Sequence, residues 1–296
     1  MATSIINRST PHAVALETTL LVHGVPKDAA RPLAAELDSI ITAHGARPAT
    51  VGVVGGRGVV GLNSEELSLL LEAPAVPKAN TGNLGLLLHS GSHAATTVSA
   101  TMELAAGAGV RVFATGGVGG VHKNYGARWD VSADLAALTR FPVAVVASGV
   151  KNLLDVVATR EMLETLGVPV IGFGSNRFPA FYRRESEAGV DGRFDDPDEL
   201  AAFLDAELAR TGRGVLVCNP IPAEDEIPQG RWDEWLVQAE TRASESGATG
   251  RAVTPAVLSA LHQFSDGATL RANLALVRSN AALAARLAAR IPPRTP

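Results

Sequence analysis

The sequence predicts an α/β fold, three layers α/β/α around a largely parallel central sheet, and two patterns carry that expectation. Short β-branched runs alternate with Ala- and Leu-rich segments of helical period, with small residues at the junctions. Helices of that length between strands are the crossovers that parallel pairing requires, and they cover the sheet on both faces. Taken in order, "AVAL" (13–16) reads as a strand, "DAARPLAAELDSIITAHG" (28–45) as a helix ended by Gly45, and "TVGVVGG" (50–56) as a strand. A helix is expected over 95–109, a strand over 110–117, a short helix over 132–140 and a strand over 142–148. Helix 152–166, strand 168–174, helix 196–211 and strand 214–220 follow, then mostly helix. The Pro- and acid-rich stretch 219–230 reads as a boundary or a loop over a site, and the tail "IPPRTP" as frayed. One domain spanning 1–296, with C-terminal helices packed on it, is the expected organisation.

Right-handed crossovers place the loops after successive strands at one edge of such a sheet, where ligands bind. The polar residues at the strand ends are therefore the ones to weigh. A chain of 296 residues, 46% of them hydrophobic, can bury a large core, and a formal charge of −4 with scattered basic residues argues against nucleic acid as a partner. No apolar run reaches the ~18 residues a membrane span needs. His12 and Glu17 interrupt the N-terminal apolar stretch, so no signal peptide is read there. The lone Cys218 fits a reducing compartment, and a cytoplasmic protein is expected.

In "SGVKNLLD" (148–155) a lysine stands where a helix is expected to begin, although a helix N-terminus disfavours a cation. Partial desolvation by Val150, Leu153 and Leu154 would favour the neutral amine that Schiff-base formation with a sugar aldehyde needs. The plainer reading of Lys151 is a surface lysine whose stem covers apolar residues. Glu17 follows an apolar run directly, as a general acid whose pKa burial raises or as a helix-capping carboxylate beside Thr18 and Thr19. Asp130 and Asp134 would share a face if their segment is helical, and with Ser132 they offer hard oxygen ligands for Mg²⁺ or Mn²⁺; "DVS" is equally an ordinary helix start. His122 belongs to no spaced zinc motif. "GGRGVVG" (55–61) and "TGGVGG" (115–120) are compatible with cradling one phosphate, though glycine pairs of this kind are more often plain turns.

The ordered stretches "VALETTLLVHGVP", "ARPATVGVVGGRGVVGL", "ATTVSATMELAAGAGVRVFATGGVGGVH", "DVSADL", "SGVKNLLD", "LETLGVPVIGFG", "FPAFY", "CNPIP" and "ANLALVRSNAALA" resemble the pseudouridine-5′-phosphate glycosidase family, also called indigoidine synthase A-like. The resemblance runs from about Ala13 to Ala285. It implies reversible cleavage of the carbon–carbon bond joining uracil to ribose 5-phosphate, with a divalent metal, commonly Mn²⁺, in a homotrimer. Lys151 then matches the lysine that forms the Schiff base with C1 of the opened ribose, Glu17 the proton donor and Asp130 the metal ligand. Ser132, Ala133 and Asp134 match a substrate-contacting segment, Lys78 a substrate-binding lysine and Val98 a further substrate contact. Thr115, His122 and Asn273 fall at positions that look like active-site residues of the family.

The chain departs from the family at two places. Ser-Arg-Arg-Asp-Leu is usual after the matching lysine, and here "KANTGNLG" (78–85) has lost those charges. Between His122 and Asp130 the usual acid is absent and Tyr125, Arg128 and Trp129 stand there; the two aromatics either form a stacking surface for a flat acceptor larger than uracil or pack on neighbouring loops or a subunit interface. Nucleotide catabolism is the first reading. Biosynthetic attachment of ribose 5-phosphate to an aromatic or heteroaromatic acceptor is the alternative, and a non-catalytic sugar-phosphate-binding protein the second alternative.

Overall fold

The computed structural model describes residues 5–123, 125–126, 129–246, 257, 260–261 and 263–293. Its central sheet holds β1 (Ile6–Asn7), β2 (Ala13–Glu17), β3 (Arg47–Val54), β4 (Arg57–Val60), β7 (Val112–Ala114), β9 (Ala144–Ala147), β11 (Val170–Phe173), β12 (Gly192–Phe194) and β13 (Val215–Cys218). They run in the order β1-β4-β3-β2-β7-β9-β13-β11-β12. From β3 through β2, β7, β9, β13 and β11 to β12 every pairing is parallel. The antiparallel exceptions lie at one end, where β3 turns back into β4 and also pairs with β6 (Ala94–Thr96), itself paired with β5 (Lys78–Ala79). A separate ribbon joins β8 (Val121–His122) to β10 (Leu154–Asp155).

The period of two along each strand sorts its side chains into two cores. Val14, Leu16, Val112, Ala114, Ala144, Val146, Val215 and Val217 pack against residues such as Leu33, Leu37, Leu204, Leu208 and Leu276. These last come from α2 (Lys27–Ala43), α8 (Pro197–Thr211) and α10 (Ala268–Ala288). The alternate set, Ala13, Ala15, Phe113, Val145, Ala147, Leu216 and Cys218, packs against Met102, Leu104, Leu135, Leu138 and Leu163. Those belong to α5 (Val98–Gly107), α6 (Ala133–Leu138) and α7 (Val156–Thr165). No helix among the described residues is long and apolar enough to cross a membrane.

The expected helices and strands are present, most with shorter bounds, although β2 and β3 each run one residue longer than expected. Three differences bear on function. "GGRGVVG" is a hairpin, with Gly55 and Gly56 at φ 56° and 73° in the turn between β3 and β4, so it cradles nothing. The segment 95–109 begins as β6 and only becomes helical at Val98. The helix expected from 152 begins at Val156, capped by the Asp155 side chain on the Ala158 N–H. Lys151 therefore lies in a turn and is not at a helix N-terminus, which removes the electrostatic conflict its position suggested. The tail is anchored at least to Ile291, which is buried in the first core. The stretch 219–230 is a packed connector, with Ile221 and Ile227 buried. Residues 247–256, where helix was expected, and Arg128 lie outside the described residues.

Candidate active site

Glu17 ends β2, and the β2–β7 register pairs Leu16 with Ala114. One step further, Glu17 and Thr115 stand side by side on the face that carries Ala15 and Phe113. That adjacency is why the Thr115 hydroxyl donates to Glu17 Oε1 at 2.5 Å. Glu17 occupies the N-cap position of α1 (Thr18–His23) but makes no side-chain cap. Its carboxyl bonds to Thr115 and not to the helix, which removes the capping reading of this residue. It is only 5% exposed. Burial pushes its pKa above the usual carboxylate range, against the pull of Lys151, the Thr115 hydrogen bond and Lys78, while nearby Asp134 adds to the rise.

Asp134 is buried and both its oxygens are used: Oδ1 accepts from the Ser99 N–H at 3.0 Å and Oδ2 from the Gly119 N–H at 2.8 Å. It thus fastens the start of α5, where buried Val98 is the first residue, to the glycine loop after β7. Ser132 is the N-cap of α6, its hydroxyl accepting from the Asp134 N–H, and Ala133 is the first helical residue. Gly119 has to be glycine, since a Cβ there would lie 2.3 Å from Ser132 Oγ and 2.8 Å from Asp134 Oδ2. Asp130 precedes the helix, so it and Asp134 do not share a helical face as expected.

The backbone under Lys151 is tied on both sides. Val118 N–H donates to Gly149 O and Lys151 N–H to Val118 O, while Phe181 N–H donates to Ser148 O and Tyr182 N–H to Asn152 Oδ1. Gly149, at φ 72°, passes so close beneath Pro179 that a Cβ would sit 1.8 Å from the Pro179 oxygen. Phe181 holds φ 58°, a left-handed conformation costly for an aromatic residue, and packs on Gly117. The Lys151 side chain itself is exposed, without a hydrogen-bond or ion-pair partner among the described residues. The desolvation expected of it is absent, because Val150 and Leu154 turn into the core.

Lys78 joins this cluster from β5. Partial desolvation lowers its pKa first, repulsion from Lys151 adds to that, and Glu17 opposes it, although Lys78 keeps substantial solvent access. The altered loop after it is tied to itself: Asn80 Oδ1 accepts from Gly82 and Asn83 N–H, and Asn83 Nδ2 donates to the Lys78 carbonyl. Asn83 thus fixes the lysine's backbone, and Asn80 closes the loop on itself.

His122 sits in the β8–β10 ribbon, its N–H donating to the Asp130 carbonyl, so the ribbon joins the His122 and Lys151 loops. Asp130 is exposed, and its carboxylate has no hydrogen-bond or ion-pair partner among the described residues. Among the described residues no three His, Cys, Asp or Glu side chains are grouped to hold a metal ion. One free carboxylate fits a hydrated hard cation completed by water and ligand oxygens, not a closed protein cage. Trp129 is 83% exposed and stacks on Tyr125, centroids 5.8 Å apart and planes at 22°.

Asn273, in the first turns of α10, donates through Nδ2 to Gly24 O at 3.4 Å just past the end of α1, and its buried Oδ1 has no partner among the described residues. A second asparagine of the same helix escaped the sequence reading. Asn280 is fully buried and donates to the Thr115 carbonyl at 2.8 Å and to Ser148 Oγ at 3.1 Å, accepting from Asn219 Nδ2 at 3.0 Å. The available signal was an asparagine within the apolar stripe Leu276, Val277, Ala281, Ala284.

Glu17, Thr115, Asp134, Lys78 and Lys151 thus converge at the C-terminal edge of the parallel strands, a buried carboxyl of raised pKa with two amines in its field. Residues 3–290 match the family described as indigoidine synthase A like protein. Curated relatives named pseudouridine-5′-phosphate glycosidase include that of Symbiobacterium thermophilum, 43% identical over 96% of this chain and 93% of the relative, and that of Paracoccus denitrificans, 46% identical over 93% and 92%. Among solved structures, the prealnumycin C-glycosynthase AlnA in complex with ribulose 5-phosphate superposes with a TM-score of 0.87 at 33% identity, covering 94% of this chain and 91% of that one. An indigoidine synthase A (idgA)-like protein of Thermotoga maritima superposes with a TM-score of 0.88 at 36% identity, covering 98% and 97%. The chain belongs to the indigoidine synthase A-like family.

Proposed function

We propose that this family member is a C-glycosidase that cleaves, reversibly, the bond between C1 of ribose 5-phosphate and C5 of uracil in pseudouridine 5′-phosphate, through an imine on Lys151. The observation that carries the reading is the buried Glu17 carboxyl, held by Thr115 in the field of Lys151 and Lys78. A C-glycosidic bond has no leaving oxygen to protonate, so its electrons need an acceptor. As the Lys151 amine bonds to C1 the ring C1–O bond breaks, its electrons staying on the oxygen, which takes up the proton the amine loses and becomes the C4 hydroxyl; the nitrogen lone pair then forms the C=N bond as C1–C5 breaks. The bonding electrons go to the ring carbon, which takes a proton from Glu17, and water then hydrolyses the imine to ribose 5-phosphate and the free lysine. A carboxyl whose pKa burial raises suits that donation. Lys78, Val98, His122, Ser132, Ala133, Asp134 and Asn273 are the surroundings from which substrate contacts come.

Asp130 would hold Mn²⁺ or Mg²⁺, which when bound supplies positive charge for oxygens of the ligand. Asp130→Ala should weaken the metal dependence of turnover, and activity indifferent to EDTA in the wild type would remove the metal from the reading. A cytoplasmic homotrimer belongs to the same proposal, and sedimentation velocity on the purified chain checks the trimer.

The exposed Trp129, stacked on the half-buried Tyr125, favours a second reading, in which ribose 5-phosphate is joined to a larger flat acceptor. Incubation with Mn²⁺ and pseudouridine 5′-phosphate, followed by mass spectrometry for uracil and ribose 5-phosphate, separates the two. Release supports the glycosidase. No release, with borohydride fixing ribose 5-phosphate on Lys151, transfers support to another acceptor. Ligand binding without any borohydride adduct would leave only a binding protein.

A further inference from the structure

We infer that Asn280 is a positioning residue for Glu17: its amide pins the Thr115 peptide from the opposite face of the sheet, and so aims the Thr115 hydroxyl at the carboxyl. This rests on Glu17 being the proton donor proposed above.

The geometry comes from the alternation along the strands. Thr115 sends its side chain to the face of α5 and α6, where Glu17 lies. Ser148 and Asn219 continue the alternate sets of β9 and β13 and face α10. Parallel strands that end at the same edge leave carbonyls without a ladder partner, and the Thr115 carbonyl is one of these. Asn280 Nδ2 satisfies it at 2.8 Å and places its second N–H on Ser148 Oγ. Gly116 leaves the room that brings α10 this close, since a Cβ there would meet Leu276 and Val277 side chains at 3.3–3.4 Å.

The amide orientation is not interchangeable. Asn219 Nδ2 donates to Asn280 Oδ1 at 3.0 Å and to Ser279 Oγ at 2.9 Å, and the Ser148 hydroxyl donates to Asn219 O at 2.9 Å. A flipped Asn280 would set oxygen against the Thr115 carbonyl and nitrogen against nitrogen. On its other side the Thr115 N–H donates to Val146 O at 3.0 Å. The peptide is held at both ends, and the hydroxyl that projects from it donates to Glu17 Oε1. That commits Oε1 as an acceptor and leaves Oε2 to carry the transferable proton. A leucine would fill the same volume in this apolar stripe without a network of this kind.

The test uses the full chain and the variants Asn280→Leu, Asn219→Ala, Thr115→Val and the double variant Thr115→Val/Asn280→Leu. Each is followed by the pH dependence of kcat on pseudouridine 5′-phosphate and by difference infrared titration of the Glu17 carboxyl (against Glu17→Gln) without substrate. The groups acting on Glu17 are Thr115, Lys151, Lys78 and Asp134. Loss of the Thr115 bond lets the carboxyl titrate higher, so the basic limb moves upward in pH. Asn280→Leu should lower kcat by roughly 10- to 100-fold with KM within about threefold, and move both the limb and the infrared titration upward. The double variant should move them no further than Thr115→Val alone. Asn219→Ala, which frees only the amide oxygen, should act in the same direction by less, and carries the test should Asn280→Leu fail to fold. A variant that melts lower while keeping the wild-type kcat, limb and infrared titration overturns the inference, as do shifts that add in the double variant. If the wild type releases no uracil but the infrared titration still moves, the proposed reaction falls and the positioning role stands.

Discussion

Glu17 and Thr115 stand on neighbouring strands one register step past their last paired residues, whereas Lys151, Asp130 and Trp129 stand on turns outside the sheet. The floor of the cleft is buried, and every polar group on it described above has a partner; the rim is exposed, and its charged tips have none among the described residues. Strand pairing fixes the floor to within a hydrogen bond, while the rim presents reactive ends on backbone that is tied down from beneath. On the proposed roles, a carboxyl that donates a proton sits where water is scarce, and an amine that meets an aldehyde sits where a ligand can arrive.

That contrast predicts that rim substitutions change chemistry without changing stability. Lys151→Ala should reduce turnover on the order of 10⁴-fold or more, while the melting temperature stays at the wild-type value. A large loss of stability would show the lysine to be part of the structure. Glu17→Gln, on the floor, should cost about 10²- to 10⁴-fold in turnover yet retain borohydride trapping on Lys151. It should also change the pH dependence of folding. Because the folded carboxyl titrates above its unfolded value, its contribution is full below the unfolded pKa and is lost as pH rises through the folded one. Urea midpoints of the glutamine variant should therefore overtake those of the wild type as pH increases, and parallel curves would remove the raised pKa from the account.

Asp134→Asn tests the floor as structure. One amide group would face a backbone N–H that the carboxylate now accepts, and stability should fall by about 1–3 kcal/mol in urea titrations. Retained stability would mean the two N–H groups find other partners. The smallest effect is expected at Trp129→Ala. With its side chain mostly in solvent, melting should not change, and the KM of a stacked acceptor should rise about 3- to 10-fold. An unchanged KM for every ring tested would assign the aromatic pair to something other than the acceptor.

Much of the floor was legible in the chain, and the residues show why. Glu17 and Thr115 each close an apolar run, so a parallel sheet was enough to bring them to one edge. Lys151 was singled out for a helix start that does not exist: Leu153 and Leu154 fit a helical stripe locally, but β10 pairs Leu154 with His122 and postpones the helix to Val156. For Asp130 and Asp134 the spacing leaves a shared helical face and a helix start both open, and the structure takes the second: Ser132 caps the helix between them. Asn280 carries one local signal, its place within the apolar stripe of α10, but nothing local says which strand ends it pairs with.

By itself the sequence determined the layer order, the apolar alternation that makes two cores, and the few ionisable residues placed at strand ends. These follow from short-range periodicity, which burial rewards residue by residue. The tertiary structure alone decided which polar groups meet: the register that sets Glu17 beside Thr115, the strap at Phe181 beneath Lys151, and the reach of α10 to the Thr115 carbonyl. Hydrogen bonds between residues as far apart as 115 and 280 depend on how whole strands and helices settle against one another, and no local pattern encodes that.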